Sequence, residues 1–417
     1  MSPASPAPSP SGGLSPAAVL SPAFLADPYA LYAMLRRTQP VFRVPVPVDA
    51  GAGVFLLTRH AEVQHVLRDG AFSADRRRAD VIERNRDALP ADLLGDSSLF
   101  RSLLTMDPPD HTRVRGLVNK AFTPRRIAGL RGRIEALADE LLAPCVARGG
   151  LDVIAELAAP LPARVIAELL GVPAEDWPRF RVWAADLVAA GPGLLGGEGP
   201  ARFERGFRPL AAYLGEVIAA RRREPRDDLV SALVTAQEER DALQDGELLA
   251  TCVLLLVAGH ETTTNLIGNG LLALLRHPEQ LAPLRAQPEL VPQAVEEMLR
   301  YDGPVQATVR VAKEPVELGG VAIAPGALVV CGIGAANRDP AVFLEPDRFD
   351  VTRRENHHLA FGFGAHFCLG APLARLEGEI AFRALLERFP RLALASESVR
   401  WRPNPVLRGL LELPVHA

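Results

Sequence analysis

The sequence predicts a mostly α fold with a smaller β-rich part, an α+β arrangement, and three features carry that reading. Helical periodicity dominates from Pro108 onward, two valine-rich runs precede it, and a group of short valine-rich runs interrupts it after residue 304. Taken in order, the first 22 residues are rich in Pro, Ser and Ala, with no basic start and no sustained apolar core. They read as a disordered tail and not as a signal peptide. Val41 to Val44 and Val54 to Thr58 read as strands joined by a turn at Asp49-Ala50-Gly51, an early hairpin. Pro45 and Pro47 confine its first strand to an edge or end it early. Helices are expected over 109–121, 131–148, 160–171, 178–190, 203–223, 246–276, 292–301 and 372–389. Ala189 to Pro200, with five glycines and two prolines, reads as a loop between two of them. Short strands are expected at Val305 to Val311, Val316 to Ile323 and Leu328 to Cys331, and no internal repeat is found.

At 417 residues the chain is longer than most single cores, so length alone suggests two domains or more. A hydrophobic content of 48% against only 6% aromatic is enough to build a large aliphatic core. The formal charge of −4 gives no sign of nucleic-acid binding. Cysteines at 145, 252, 331 and 368 make no metal or disulfide spacing, so reduced thiols in a cytoplasm are the natural reading. The longest apolar stretch, Leu248 to Ala258, is interrupted by Thr251 and is too short to span a bilayer, which predicts a soluble protein.

The most specific motif is Phe361-Gly362-Phe363-Gly364-Ala365-His366-Phe367-Cys368-Leu369-Gly370. It sets one cysteine in a glycine-rich loop just before a helical run at Pro372 to Phe389. Glycines at 362, 364 and 370 let backbone approach a flat cofactor, and the N-terminus of that helix aims N–H groups at Cys368, a setting that stabilises a thiolate. A second motif, Ala258-Gly259-His260-Glu261-Thr262-Thr263, lies in the long run 246–276. Leu255, Ala258, Gly259 and Thr262 share one helix face, which carries a small pair followed by a hydroxyl. Gly259 weakens the helix, and the Thr262 hydroxyl can bond back to a carbonyl one turn earlier and open a kink. His260-Glu261 is not a zinc-protease helix, because residue 264 is threonine and not histidine. Gly362-Phe363-Gly364 is not a dinucleotide fingerprint, because its third glycine position holds Phe367.

The cysteine loop resembles the whole haem-binding signature of the cytochrome P-450 family, the haem-thiolate monooxygenases. Ala336-Asn337-Arg338-Asp339-Pro340, Phe343, Pro346, Arg348-Phe349 and His358 to Gly362 are similar to the soluble bacterial members, and the likeness runs from Asp27-Pro28-Tyr29 to Leu413-Pro414. The resemblance implies one cytochrome P-450 domain over 23–417 with a long central helix over haem b. It implies Cys368 as the iron ligand, with Phe361, Gly364, Gly370, Ala258 and Gly259 against the cofactor. His111 and Arg115, at i and i+4, together with Arg310 and His366, match positions that bind haem propionates, which need cations or donors when buried. Glu261 and Thr262 resemble the family's acid–alcohol pair, which delivers the two protons needed for O–O cleavage. Glu297 and Arg300 are similar to a structural pair that joins an arginine of the later meander, here Arg348.

Substrate-lining positions, again by resemblance, are Leu93, Leu94, Leu187, Leu255, Ala258, Ala307, Thr308 and Leu407. Nearly all are aliphatic, which suggests a terpenoid, carotenoid, steroid, fatty acid or macrolide-like polyketide, and the glycine-rich loop 189–200 lies where the family has its substrate entrance. With no flavin, nicotinamide or iron–sulfur signature in the chain, electrons are expected from a separate ferredoxin or flavodoxin and its reductase. The expected docking face carries Arg113, Lys120, Arg125, Arg126 and Arg375, and the protein is expected to be a monomer. The activity implied is insertion of one atom of O2 into an apolar substrate by hydroxylation or epoxidation. Peroxide-driven turnover, or a haem-based binder or gas sensor, are the rival readings.

Overall fold

The computed structural model describes residues 21–46, 48–89, 101–190, 198–238 and 244–416. Most of the expected tail, Leu93 and Leu94, and positions 191–197 of the glycine-rich connection lie outside the described residues.

The molecule is organised by one 32-residue helix, Asp245–Arg276, here called the central helix. Its first turn is fixed by a capping box: the Gln244 side chain accepts from the backbone of Glu247, whose carboxylate accepts from the Gln244 N–H at 2.9 Å. Beyond residue 262 it is buried on every side through Leu274, as expected of a helix with apolar and small residues all round. Pro160–Leu169, Gly199–Arg223, Val291–Tyr301 and Ala371–Arg388 pack around it. Leu266, Ile267, Leu271 and Phe382 at these contacts are at most 1% exposed, and each such side chain contributes about 1.5–3 kcal/mol by leaving water.

The expected helices form as Asp110–Ala121, Arg131–Arg148, Pro160–Leu169, Trp177–Ala190, Gly199–Arg223, Asp245–Arg276, Val291–Tyr301 and Ala371–Arg388. The fifth starts four residues earlier than periodicity suggests, because Pro200 sits in its first turn, where its missing N–H costs nothing. Eight further helices among the described residues were not expected: Tyr29–Thr38, His60–Arg68, Leu229–Glu238 and Pro278–Ala286, and the shorter Pro22–Ala26, Asp80–Glu83, Pro124–Gly129 and Ile333–Ala336. The first four are 9 or 10 residues long, too short to be stable alone, and tertiary contacts hold them.

The β-rich part is a five-stranded sheet in the order β1-β2-β8-β5-β3, with β1 Val41–Arg43, β2 Val54–Leu57, β3 Phe72–Ser73, β5 Ala307–Ala312 and β8 Leu328–Gly332. The expected hairpin is its first antiparallel pair, with Val41 opposite Leu57, and β1 lies at the sheet edge as the prolines require. β2 and β8 run parallel, and β5 pairs antiparallel with both β8 and β3. The single strand expected over 316–323 is instead a hairpin of β6 Val316–Leu318 and β7 Val321–Ile323. Gly319 and Gly320, at φ 53° and 81°, supply the two left-handed residues of its turn. A third sheet joins β4 Gly150–Asp152 and β9 Ala393–Leu394 to the C-terminal β10 Pro414–His416. Among the described residues no helix is long and apolar enough to cross a membrane.

Candidate active site

The cysteine loop is closed by a hydrogen bond from the Cys368 N–H to the Phe361 carbonyl at 2.8 Å. Gly362 and Gly364 adopt φ 74° and 73°, which disfavours any other residue. A Cβ at Gly364 would also lie 2.9 Å from the Leu67 carbonyl, so this glycine docks the loop on helix His60–Arg68. Gly370 has an ordinary φ of −81°, and a Cβ there would stand 4.0 Å from the Cys368 sulfur. Its place is beside the sulfur and is not forced by backbone conformation. Burial pushes the thiol up, while the Gly370 and Ala371 amides and the Arg115 and Arg375 guanidiniums pull it down. Burial wins, so the helix start alone does not make a thiolate, and coordination to a metal is what would deprotonate this sulfur.

On the central helix, Leu255, Ala258, Gly259 and Thr262 keep solvent access, whereas Leu256, His260, Glu261 and Thr263 are buried. The face marked by spacing therefore lines an open space. Thr262 Oγ1 donates to the Ala258 carbonyl at 2.7 Å, the back-bond anticipated from sequence. The helix nevertheless runs unbroken from Asp245 to Arg276, because packing against its neighbours holds it. A Cβ at Gly259 would meet Ile166 at 3.4 Å, so its missing side chain allows helix Pro160–Leu169 to approach.

Glu261 does not sit on the surface. It is 3% exposed and pairs with Arg402 at 2.7 Å, from a loop 141 residues later. Burial pushes its carboxyl up, and Arg402 and the neighbouring Asn265 oppose that. One turn further, Glu377 of helix Ala371–Arg388 lies buried beside the Thr263 hydroxyl, and burial pushes its carboxyl up to about 8. The sequence reading missed both Arg402 and Glu377. Nothing local marks Arg402, whereas a glutamate on an otherwise apolar helix face was a readable signal for Glu377.

His111 and Arg115 of helix Asp110–Ala121, Arg310 of β5 and His366 of the cysteine loop, three separate segments, come together. The His111 and His366 rings are 4.1 Å apart between centroids. Arg115 Nη2 donates to the Phe367 carbonyl at 2.6 Å, and His366 Nδ1 lies 3.2 Å from the Leu103 carbonyl. Burial, reinforced by nearby cations, lowers both histidines, His366 to about 3, so both are neutral near pH 7. His111 Nε2 is buried without a protein partner, and Arg310, 5% exposed, donates only to the Val309 carbonyl at 2.8 Å. The one carboxylate acting on His111 and Arg310, Asp107, accepts from the Ser73 hydroxyl and the Ala74 N–H, so buried polar atoms are left over that a pair of haem propionates would complete, and the residues present fit the cofactor.

Ala307 and Thr308, at the start of β5, and Leu407 are partly exposed, and Leu187 is buried at 7%. Val305 forms an isolated bridge to Leu407.

Beneath the loop, Glu297 and Arg300 form a fully buried bidentate pair at 2.7 and 2.8 Å. The third member is corrected by the structure. The Arg348 guanidinium turns outward to Glu345 at 3.1 Å, and only its carbonyl accepts from Arg300, at 2.9 Å. Arg353 Nε reaches Glu297 instead, at 3.1 Å, joined by the Asp350 N–H and the Asn356 amide. The meander turns between 345 and 353, which puts Arg348 on its outer side.

Three cations of the expected docking face have acid partners within the chain. Arg113 is held by Glu247 of the central helix at 2.5 and 3.0 Å, and Arg126 reaches Asp227 at 3.3 Å. Arg375 forms a bidentate pair with Glu296 at 2.7 and 2.8 Å and stacks over Phe361 at 4.6 Å, which makes it a support of the loop. Lys120 and Arg125 are exposed.

A sequence profile described as Cytochrome P450 matches residues 208–411. Cytochrome P450 107B1 of Saccharopolyspora erythraea is 47% identical over 397 residues, covering 94% of this chain and 96% of the relative. The 6-deoxyerythronolide B hydroxylase of the same organism is 42% identical over 402 residues, covering 95% and 97%. The solved structure of the myxobacterial cytochrome P450 CYP267B1 in complex with myristic acid superposes with a TM-score of 0.88 at 41% identity, covering 95% of this chain and 98% of that one. Near-complete coverage at this identity, on a chain that brings its cysteine loop and a donor cluster fitted to propionates into one site, shows that it belongs to the cytochrome P450 family of haem-dependent monooxygenases.

Proposed function

We propose that the chain inserts one atom of O2 into a largely aliphatic organic molecule held against Leu187, Leu255, Ala258, Ala307, Thr308 and Leu407, with Cys368 as the iron ligand. The observation that carries this reading is the Phe361–Gly370 loop, which presents one cysteine beside two backbone amides and next to the donor cluster. Haem, when bound, supplies activation of O2. His111, Arg115, Arg310 and His366 would hold its propionates, and Phe361, Gly364 and Gly370 would shape the loop beneath it.

Thr262 is the hydroxyl that passes protons into the pocket. In the resting arrangement it donates to the Ala258 carbonyl, so its lone pairs are open to a donor. Glu261 is the acid of the pair, reached from the side of Arg402, and the ion pair holds its carboxylate in place. Electrons come from a separate ferredoxin or flavodoxin with its reductase, docking in the cytoplasm on the face that carries Lys120 and Arg125; no flavin or nicotinamide is bound by this monomeric chain.

The substrate class follows from the wall: aliphatic side chains with one hydroxyl, Thr308, accept molecules of the kind that the relatives' names contain, a 6-deoxyerythronolide or a fatty acid. The test is a panel of such compounds scored for the low-to-high-spin change of the ferric protein, with product analysis under a surrogate ferredoxin and reductase. A protein whose reduced carbon monoxide complex lacks the red-shifted Soret band of a thiolate-ligated haem would sink the reading.

A further inference from the structure

Three consecutive arginines, Arg76-Arg77-Arg78, form a single 3-10 turn directly after β3. Two of them have acid partners. Arg77 is bidentate on Asp75 at 2.8 and 2.8 Å, and Arg78, largely exposed, lies 3.8 Å from Asp107. Arg76 is partly buried and makes no side-chain hydrogen bond or ion pair among the described residues.

The sheet decides where Arg76 lies. Ser73 of β3 pairs with Val311 of β5, and the arginine turn packs against β5, which carries Arg310. The nearest acid is already used, because Asp107 accepts from the Ser73 hydroxyl and, at 2.8 Å, from the Ala74 N–H. Burial, and then the charge of Arg310, lower the Arg76 guanidinium to about 10. Asp107 is also the one carboxylate that acts on Arg310, so two partly or fully buried guanidiniums face a single acid already engaged by Ser73 and Ala74, and a further anion would relieve them.

The charge count in the donor cluster points the same way. Arg115 spends a donor on the Phe367 carbonyl at 2.6 Å. Two propionates are therefore met by only one guanidinium, Arg310, with its side-chain donors largely uncommitted, plus part of a second. We propose that Arg76 and Arg310 form a paired-guanidinium clamp for a carboxylate at the rim of the haem pocket, and that this carboxylate is a porphyrin propionate. The clamp rests on the haem-binding reading above. The sequence hides it because a run of three arginines has no period that tells which one turns inward.

The test uses the haem-loaded protein with Arg76→Met, which keeps the aliphatic stem, and Arg76→Lys, which keeps the charge but not the fork. The readout is the rate at which ferric haem passes to excess apomyoglobin. Loss of a hydrogen bond to a charged group is expected to raise that rate about tenfold in Arg76→Met and less in Arg76→Lys. The carbon monoxide band stays in place in both variants. A transfer rate within about twofold of wild type in both would overturn the clamp. If haem transfer is unchanged but the preference for myristate over myristyl alcohol, read from spin-state titrations, collapses in Arg76→Met, the carboxylate is the substrate's and the porphyrin assignment falls. If wild type itself fails to show a thiolate-ligated haem, the haem reading fails, which is a different outcome from either of these.

Discussion

Glu377 offers the sharpest quantitative test of the buried polar arrangement behind the central helix. It is 1% exposed on helix Ala371–Arg388, and burial moves its carboxyl from 4.5 to about 8, against a weak pull from the Thr263 hydroxyl. In the folded protein it stays protonated across neutral pH, whereas in the unfolded chain it ionises near 4.5. The unfolded state therefore gives up the proton first, and stability falls as pH rises from about 4.5 to about 8, then levels off. At about 1.4 kcal/mol per pH unit the full penalty is about 5 kcal/mol, of which about 1 is present at pH 5 and about 4 at pH 8. Glu377→Gln keeps the shape and a donor while removing the titration, so it should stabilise the protein progressively more as pH rises. Unfolding entropy of about 2.1 cal/mol/K per residue turns the difference of about 3 kcal/mol into about 3 to 4 °C. The assay is thermal unfolding of wild type and Glu377→Gln, followed by Soret absorbance and far-ultraviolet dichroism at pH 5, 6, 7 and 8 and one scan rate. The midpoint gap should widen from pH 5 to pH 8. Two curves that stay parallel over that range would refute a proton held on Glu377.

Cys368→Ala should abolish the red-shifted carbon monoxide band, and its persistence, with Cys145, Cys252 or Cys331 substituting, would refute the ligand assignment. Thr262→Ala should leave that band intact but divert reducing equivalents to hydrogen peroxide; proton assistance is typically worth about 10² to 10⁴ in rate, so product per equivalent should fall, and equal coupling in both proteins would make Thr262 structural. Arg353→Ala should cost about 1–3 kcal/mol in denaturant unfolding, because it leaves the buried Glu297 carboxylate short of a donor, whereas Arg348→Ala should stay within about 0.5 kcal/mol; the reverse order would restore Arg348 to the network. Charge reversal at Lys120 and Arg125 should slow reduction by an acidic ferredoxin, with the difference shrinking as salt rises, since screening sets in over about 8 Å at physiological ionic strength.

The local, sequence-dense features were legible directly. The loop around Cys368 declares itself because each constraint lies within ten residues: positive φ at Gly362 and Gly364, one sulfur, and a helix start. The Ala258–Thr262 face is likewise fixed by the 3.6-residue period, and its back-bond spans only four residues. Eight helices of ten residues or more were placed within a few residues of their ends, although the ten-residue Tyr29–Thr38 and Leu229–Glu238 were missed, and the Val41–Leu57 hairpin formed as its turn and prolines require. What only the tertiary structure decided are pairings between distant segments. Which meander arginine reaches Glu297 depends on how the chain turns between residues 345 and 353, and the arginine spacing carries no mark of it. The partner of Glu261 lies 141 residues away, and Arg113 is taken by Glu247 across 134. A side chain's local sequence sets the conformations it can adopt, but a buried charge takes whichever counter-charge the packed core brings within hydrogen-bond reach, and that choice exists only once the helices have closed around it.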